Sequence, residues 1–169
     1  MKAGIAGTVL FLPALAVIAL DQATKVAVIG MLRLHDSMTV IAGFFNLVHV
    51  RNRGIAFGLL SHMDAAWGTV FVSATTAAAV ILLVLWLSRL RAGDRRTAFG
   101  LSLIIGGAVG NLIDRVRLGE VVDFLDFYAG SFHWPAFNVA DSAVTVGTFW
   151  VVLSMLFHHP PEGQKHKES

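Results

Sequence analysis

The sequence predicts a membrane all-α fold, four transmembrane helices with a small β-rich element in the first outer loop, and three observations predict it. Of the 169 residues, 56% are hydrophobic and 14% charged, with a mean hydropathy of +0.70; an ordinary soluble domain has about 25% charged and about 45–50% apolar residues. Four stretches free of Asp, Glu, Lys and Arg approach or exceed the roughly 20 residues that cross a bilayer core. Met38 to Val50 is rich in Val, Ile and Phe, with Gly43 and Gly54 as turn points, a composition that suits strands lying on the outer membrane surface.

The first span covers residues 3–32. Its uncharged run, Ala3 to Leu20, continues past Asp21 and Lys25 into the apolar stretch Val26 to Leu32. A helix through DQATK puts Asp21 and Lys25 at i,i+4 on one face, where they neutralise each other. Lys2 ahead of an apolar run also fits a cleaved signal peptide, but three further spans follow and Leu20-Asp21-Gln22 is a poor small-residue cleavage site. The second span, 65–88, is the longest and cleanest. The third, 97–113, contains a GxxxG surface from Gly106 to Gly110 on which another helix can approach closely. The fourth is 142–157. Residues 1–159 are expected to form a single polytopic membrane domain and 160–169 a polar tail.

Four spans leave both termini on one side. The segment from Arg89 to Arg96 holds four Arg, and Lys2, Lys165 and Lys167 fall on the same side. Lys25, Arg33, Arg51, Arg53, Arg115 and Arg117 are spread over longer loops on the other. The denser basic side is the cytoplasmic one, so both termini are expected inside. The pI of about 9.4 does not indicate nucleic acid, since so few charges cannot form a broad phosphate-binding face.

With no cysteine in the chain, thiolate nucleophiles, disulfides and cysteine-ligated metals are excluded. HExxH and GxSxG are also absent, as is the GxGD pattern of the presenilin and prepilin peptidase group. His158 and His159 have an ordinary electrostatic explanation at the end of the fourth span. No metal or cofactor is expected. The carboxylates are more informative, because five of the eleven acids, Asp114, Glu120, Asp123, Asp126 and Asp141, lie between spans three and four. Asp123 and Asp126 sit in GEVVDFLDF, where apolar neighbours partly desolvate them and raise their pKa values. Asp114 beside Arg115 suits an interfacial ion pair, and Asn111 and Arg115 share a helix face. Asn138 and Asp141 suit a helix N-cap. Two carboxylates close together cannot both ionise easily, so one holds a proton as general acid while the other takes one from water. Such a pair can hydrolyse an amide. Spacing does not say which two of the four Asp form it.

DQATK, NRGIAFG at Asn52 to Gly58, GGAVGNLIDR at Gly106 to Arg115, GEVVDFLDF at Gly119 to Phe127 and FNVADS at Phe137 to Ser142 together resemble lipoprotein signal peptidase, the bacterial type II signal peptidase. The resemblance covers almost the whole chain. It implies an aspartic endopeptidase of the bacterial inner membrane that removes the signal peptide of a diacylglyceryl-modified prolipoprotein, cutting on the amino side of the lipidated Cys. It implies a catalytic pair at Asp123 and Asp141, leaving Asp126 a neighbour. Support residues carry over to Asp21, Lys25, Asn52, Gly54, Asn111, Asp114, Arg115 and Asn138. It also implies a site near the outer, periplasmic face with the termini inside.

Physical roles follow as expectations. Asn111, Arg115 and Asn138 carry donors suited to substrate carbonyls or a developing oxyanion. Asn52 and Gly54 lie in a loop suited to clamping the peptide. Apolar walls from spans two, three and four would take up acyl chains, at about 0.8 kcal/mol per CH₂. The expected partners are the prolipoprotein and membrane lipid, with no nucleic acid, and four spans suffice for a monomer to function. A proton-coupled carrier would need ionisable groups at several depths, whereas these gather at one face. A scaffold built on the GxxxG surface would not need two carboxylates flanked by Asn and Arg.

Overall fold

The computed structural model describes residues 6–54, 65–90 and 94–157. The start of the first span, residues 55–58 of NRGIAFG, part of the basic segment after Arg89, the pair His158 and His159, and the polar tail lie outside the described residues. The chain order is α1 (Ala6–Met31), β1 (Ser37–Ile41), β2 (Phe45–Asn52), α2 (Ala65–Arg89), α3 (Arg95–Leu118), β3 (Val121–Ala129), β4 (Phe132–His133) and α4 (Val139–Leu156). All four helices are long and apolar enough to cross a membrane.

α3 is the central helix, packed against α1, α2 and α4. Its glycines make this possible. A Cβ on Gly106 would lie 2.7 Å from the Ala14 carbonyl oxygen of α1, one on Gly107 would run into the Ala140 carbonyl of α4, and one on Gly110 would lie 2.7 Å from Asp21 Oδ2. Lower on the same pair, Gly147 of α4 crosses Gly100, with its missing Cβ 2.7 Å from the Gly100 carbonyl oxygen. Close backbone approach of this kind replaces the hydrophobic drive that helices lack in lipid. Ala14, Leu87, Ala98, Leu101, Ile105 and Val151 form the apolar core, biased toward the end where α2 leads into α3. The opposite end of the bundle is polar inside.

α1 runs unbroken through DQATK, as expected. α3 continues beyond Ile113 to Leu118 because its polar end is satisfied by partners. It stops at Gly119, whose left-handed φ of 76° lets the cap N–H return to the Arg115 carbonyl at 3.0 Å. α4 starts at Val139, three residues earlier than its apolar run, under an Asn138 cap.

The sheet is antiparallel in the order β1-β2-β3-β4. It is not confined to the α1–α2 connection: β3 and β4 come from the α3–α4 connection, and β3 is its most buried strand. In the β2–β3 ladder Asn52 faces Val121, Val50 faces Asp123 and Asn46 faces Asp126, with an extra β2 residue accommodated between Leu47 and Val50. The segment before α4 is tied to β3 as well, since the Phe137 carbonyl accepts from the backbone N–H groups of Phe124 at 3.0 Å and Leu125 at 2.8 Å. That link lays Asn138 beside Asp123.

Candidate active site

Asp123 is the third residue of β3, 2% exposed between buried valines and Phe124. Its Oδ2 accepts from Asn52 Nδ2 at 3.0 Å and its Oδ1 from Asn138 Nδ2 at 2.7 Å. Burial pushes its pKa up to about 6, opposed by the Asn52 bond, reinforced by the charge of Asp141, and opposed again by the Asn138 bond and Lys25. Asp141 stands in the first turn of α4, partly exposed. Asn111 Nδ2 donates to its Oδ1 at 2.7 Å and the Asn138 N–H to its Oδ2 at 3.3 Å.

Asn138 therefore holds both carboxylates. Its Oδ1 accepts the Asp141 backbone N–H at 2.9 Å, completing a capping box in which Asp141 plays the reciprocal part. The cap reading holds for these two residues, and the same contacts draw them toward Asp123. One side chain starts the helix and ties Asp141 to Asp123.

A buried cation orients the other amide. Lys25, 2% exposed, places its ammonium 2.9 Å from Asp21 Oδ2, 2.8 Å from Asp114 Oδ2 and 3.0 Å from Asn111 Oδ1, which uses all three of its hydrogens. Asn138 Nδ2 also reaches Asn111 Oδ1, at 3.2 Å. With two donors on its oxygen, the Asn111 amide can only turn its Nδ2 to Asp141. Asp21 Oδ1 takes the Ala140 N–H at 2.9 Å, one of the orphan donors at the start of α4. Asp114 Oδ2 takes the Val122 N–H at 3.1 Å, at the start of β3. The two acids paired with Lys25 thus anchor the two elements that carry Asp141 and Asp123.

Asn52, the last residue of β2, also accepts the Gly54 N–H on its Oδ1 at 2.8 Å, turning the chain. Gly54 has φ 73°, and a Cβ there would sit 3.0 Å from Arg115 Nη2. The Arg115 guanidinium interacts with the charges of Asp141, Asp123 and Asp114. Its Nη1 reaches the Asn111 carbonyl at 3.5 Å, and its buried Nε has no hydrogen-bond partner among the described residues.

The ten residues to which the resemblance points thus fall in one connected cluster. Two expectations need correction. Asp114 pairs with Lys25 rather than with its neighbour Arg115, because the helix turns successive side chains about 100° apart. Asp126 stands apart from the cluster, bonded to Asn46 Nδ2 at 3.0 Å and His133 Nδ1 at 2.9 Å. Burial works against its ionisation, but those bonds and the His133 charge prevail and hold it below the usual carboxylate range rather than above it.

Sequence reasoning missed Gln22, whose Nε2 bridges the Gly110 carbonyl at 3.2 Å and Asp114 Oδ1 at 2.9 Å; a polar residue inside a span was the available signal. It also missed the ion pair between Arg53 and Glu120, which lie far apart in sequence. No group of three or more His, Cys, Asp or Glu suited to a metal ion occurs among the described residues.

The family model for signal peptidase (SPase) II matches residues 13–157. A lipoprotein signal peptidase of Desulforapulum autotrophicum is 51% identical over 148 residues, covering 86% of this chain and 90% of the relative. One from Syntrophus aciditrophicus is 43% identical, covering 90% of each chain. A bacterial membrane enzyme solved by the in meso method at 1.9 Å resolution superposes with a TM-score of 0.76 at 33% identity, covering 89% of this chain and 94% of the other.

Proposed function

The chain belongs to the signal peptidase II family, and we propose that it is a membrane-embedded aspartic endopeptidase that cleaves diacylglyceryl-modified prolipoproteins on the amino side of the lipidated Cys. The observation that carries this reading is Asn138 holding acids from two different elements, its side-chain amide donating to the Asp123 carboxylate and its backbone N–H to that of Asp141. Two carboxylates so linked share the work of acid and base.

Asp123, the more buried of the two, enters the cycle protonated and donates to the scissile amide. Asp141 takes the proton from the attacking water. Arg115, whose buried Nε has no hydrogen-bond partner among the described residues and whose guanidinium feels the charge of both acids, stabilises negative charge developing on the carbonyl oxygen. Asn111 and Asn138 hold the acids, with Lys25, Asp21 and Asp114 behind them. The Asn52–Gly54 turn lies over Arg115 and bounds the peptide path. α2 makes its helix contacts with α3, and acyl chains taken up along the apolar walls of α2, α3 and α4 would fix the scissile bond in register.

The reading places a multi-pass chain in the bacterial inner membrane, termini in the cytoplasm and site toward the periplasm, working as a monomer. The test is a gel-shift assay of the purified protein on a diacylglyceryl-modified prolipoprotein and on its unmodified counterpart. Cleavage of the lipidated form alone is expected. Equal cleavage of both refutes lipid-directed recognition, and cleavage of neither refutes the peptidase.

A further inference from the structure

Just outside the carboxylate cluster, Arg53 Nε donates to Glu120 Oε1 at 2.7 Å, and Arg51 Nη1 stands 3.9 Å from Glu120 Oε2. The placement of this pair matters more than its strength. The β2–β3 ladder ends with Asn52 opposite Val121, so Arg53 is the first residue past one strand and Glu120 the last before the other. Asn52, one residue inward, is engaged on both atoms of its amide, by Asp123 and by the Gly54 N–H. Three consecutive residues therefore form one turn. Its inner side chain grips Asp123, its outer side chain grips Glu120, and its glycine rests on Arg115.

The end of a ladder is where a sheet opens first, and Asn52 is at that end. Without a tie across it, the Asn52 amide is free to leave Asp123. We infer that Arg53 and Glu120 are a positioning pair, a latch that closes the end of the sheet and keeps Asn52 on the carboxylate of Asp123. The inference rests on the function proposed above, in which Asp123 is the acid. Arg53 is 56% exposed at its side chain and Glu120 21%, so the latch contributes little to global stability and acts through geometry.

Kinetics separate this role from a simple field effect. Asn52 donates to Asp123 and so favours its charged form, and releasing Asn52 raises the pH at which Asp123 loses its proton. As a bare charge, Arg53 would lower that pH and Glu120 would raise it. Neutralising each would then move the alkaline limb of the rate profile in opposite directions. The latch moves it upward in both cases. The other charges facing Asp123 are Asp141 from α4, Lys25 from α1 and Arg115 from α3, with Asp114 beside them. These are left unsubstituted throughout, as is Arg51, which loses its own contact only when Glu120 is replaced.

The experiment compares wild type, Arg53→Gln, Glu120→Gln and Arg53→Lys as purified full-length protein, with a diacylglyceryl-modified prolipoprotein as substrate. Rates are measured across pH and thermal unfolding is followed for each variant. Both Gln variants are expected to lose about two- to fivefold in kcat, the range of a weak exposed pair, with KM nearly unchanged and the alkaline limb shifted upward. Arg53→Lys restores most of the wild-type profile. Opposite limb shifts, unaltered kcat and limbs, or a lowered Tm with unaltered kinetics each overturn the latch. Failure of the wild-type chain to cleave sinks the functional reading and the latch with it, whereas wild-type cleavage with indifferent variants sinks the latch alone.

Discussion

Asp123 and Asn138 meet at the centre of the proposed site, one an acid kept from water and the other an amide with no freedom to turn. Replacing Asp123 or Asp141 by Asn keeps shape and removes the proton traffic, so each variant should lose about 10²–10⁴-fold in kcat while still binding substrate. Single-turnover rates alongside a binding assay check this, and full activity in either variant removes that residue from the proposed dyad. The pH dependence follows from the same assignment. Asp123 must hold its proton and has a pKa of about 6, so kcat/KM should fall as pH rises through that value. Substrate that covers the site removes water and pushes the pKa higher, so the alkaline limb of kcat should lie above that of kcat/KM. Paired pH profiles decide it. A rate that rises with pH through 6 would assign Asp123 as the base. Nothing in the spacing of Asp114, Asp123, Asp126 and Asp141 selects this pair, because the selecting contacts run through Asn138 and Asn111, which only the tertiary fold brings to them. Apolar neighbours along the chain were equally misleading for Asp126, whose fate is decided across the sheet by Asn46 and His133.

At the scale of elements, hydropathy located all four helices, since a long apolar run in lipid has few alternatives to a helix. Their ends were harder to read. α3 carries Asn111 inside its uncharged run and Asp114 and Arg115 past it, because Lys25 and Asp141 satisfy two of them from other helices. β1 and β2 were legible in the Val, Ile and Phe of Met38 to Val50. β3 was not, because VVDFLDF is apolar toward both faces and lacks the alternation of a half-exposed strand. The helix contacts also yield a prediction that separates packing from positioning. Gly107 and Gly147 both lie on the α3–α4 crossing, and an added methyl at either meets backbone. Gly107→Ala and Gly147→Ala should each cost about 1–3 kcal/mol of stability, read by thermal unfolding. Only Gly107→Ala presses on Ala140, next to Asp141, so only that variant should also lose kcat. Equal kinetic losses in the two would mean that crossing and site are not locally coupled.

The whole molecule divides into an apolar half and a polar half, and the sheet caps the polar one. The arrangement of charges around the bundle argues for a cytoplasmic basic segment after Arg89 and an exposed sheet on the opposite side of the membrane. The absence of native cysteine makes this easy to examine. Ser37→Cys in β1 should react with a membrane-impermeant thiol reagent in intact cells, and Ser88→Cys near the end of α2 should react only after lysis. The reverse pattern would invert the topology and the side on which the substrate is cut. The order of synthesis adds a consequence of the Asp21 contact with the Ala140 N–H. Asp21 and Lys25 enter the bilayer with the first helix, but Asn111 arrives with the third and Ala140, Asn138 and Asp141 only with the fourth. On the proposed assignment, a nascent chain therefore carries the Asp21–Lys25 pair but no assembled acid–base site until its last helix inserts, which would keep a protease silent while it is still being made.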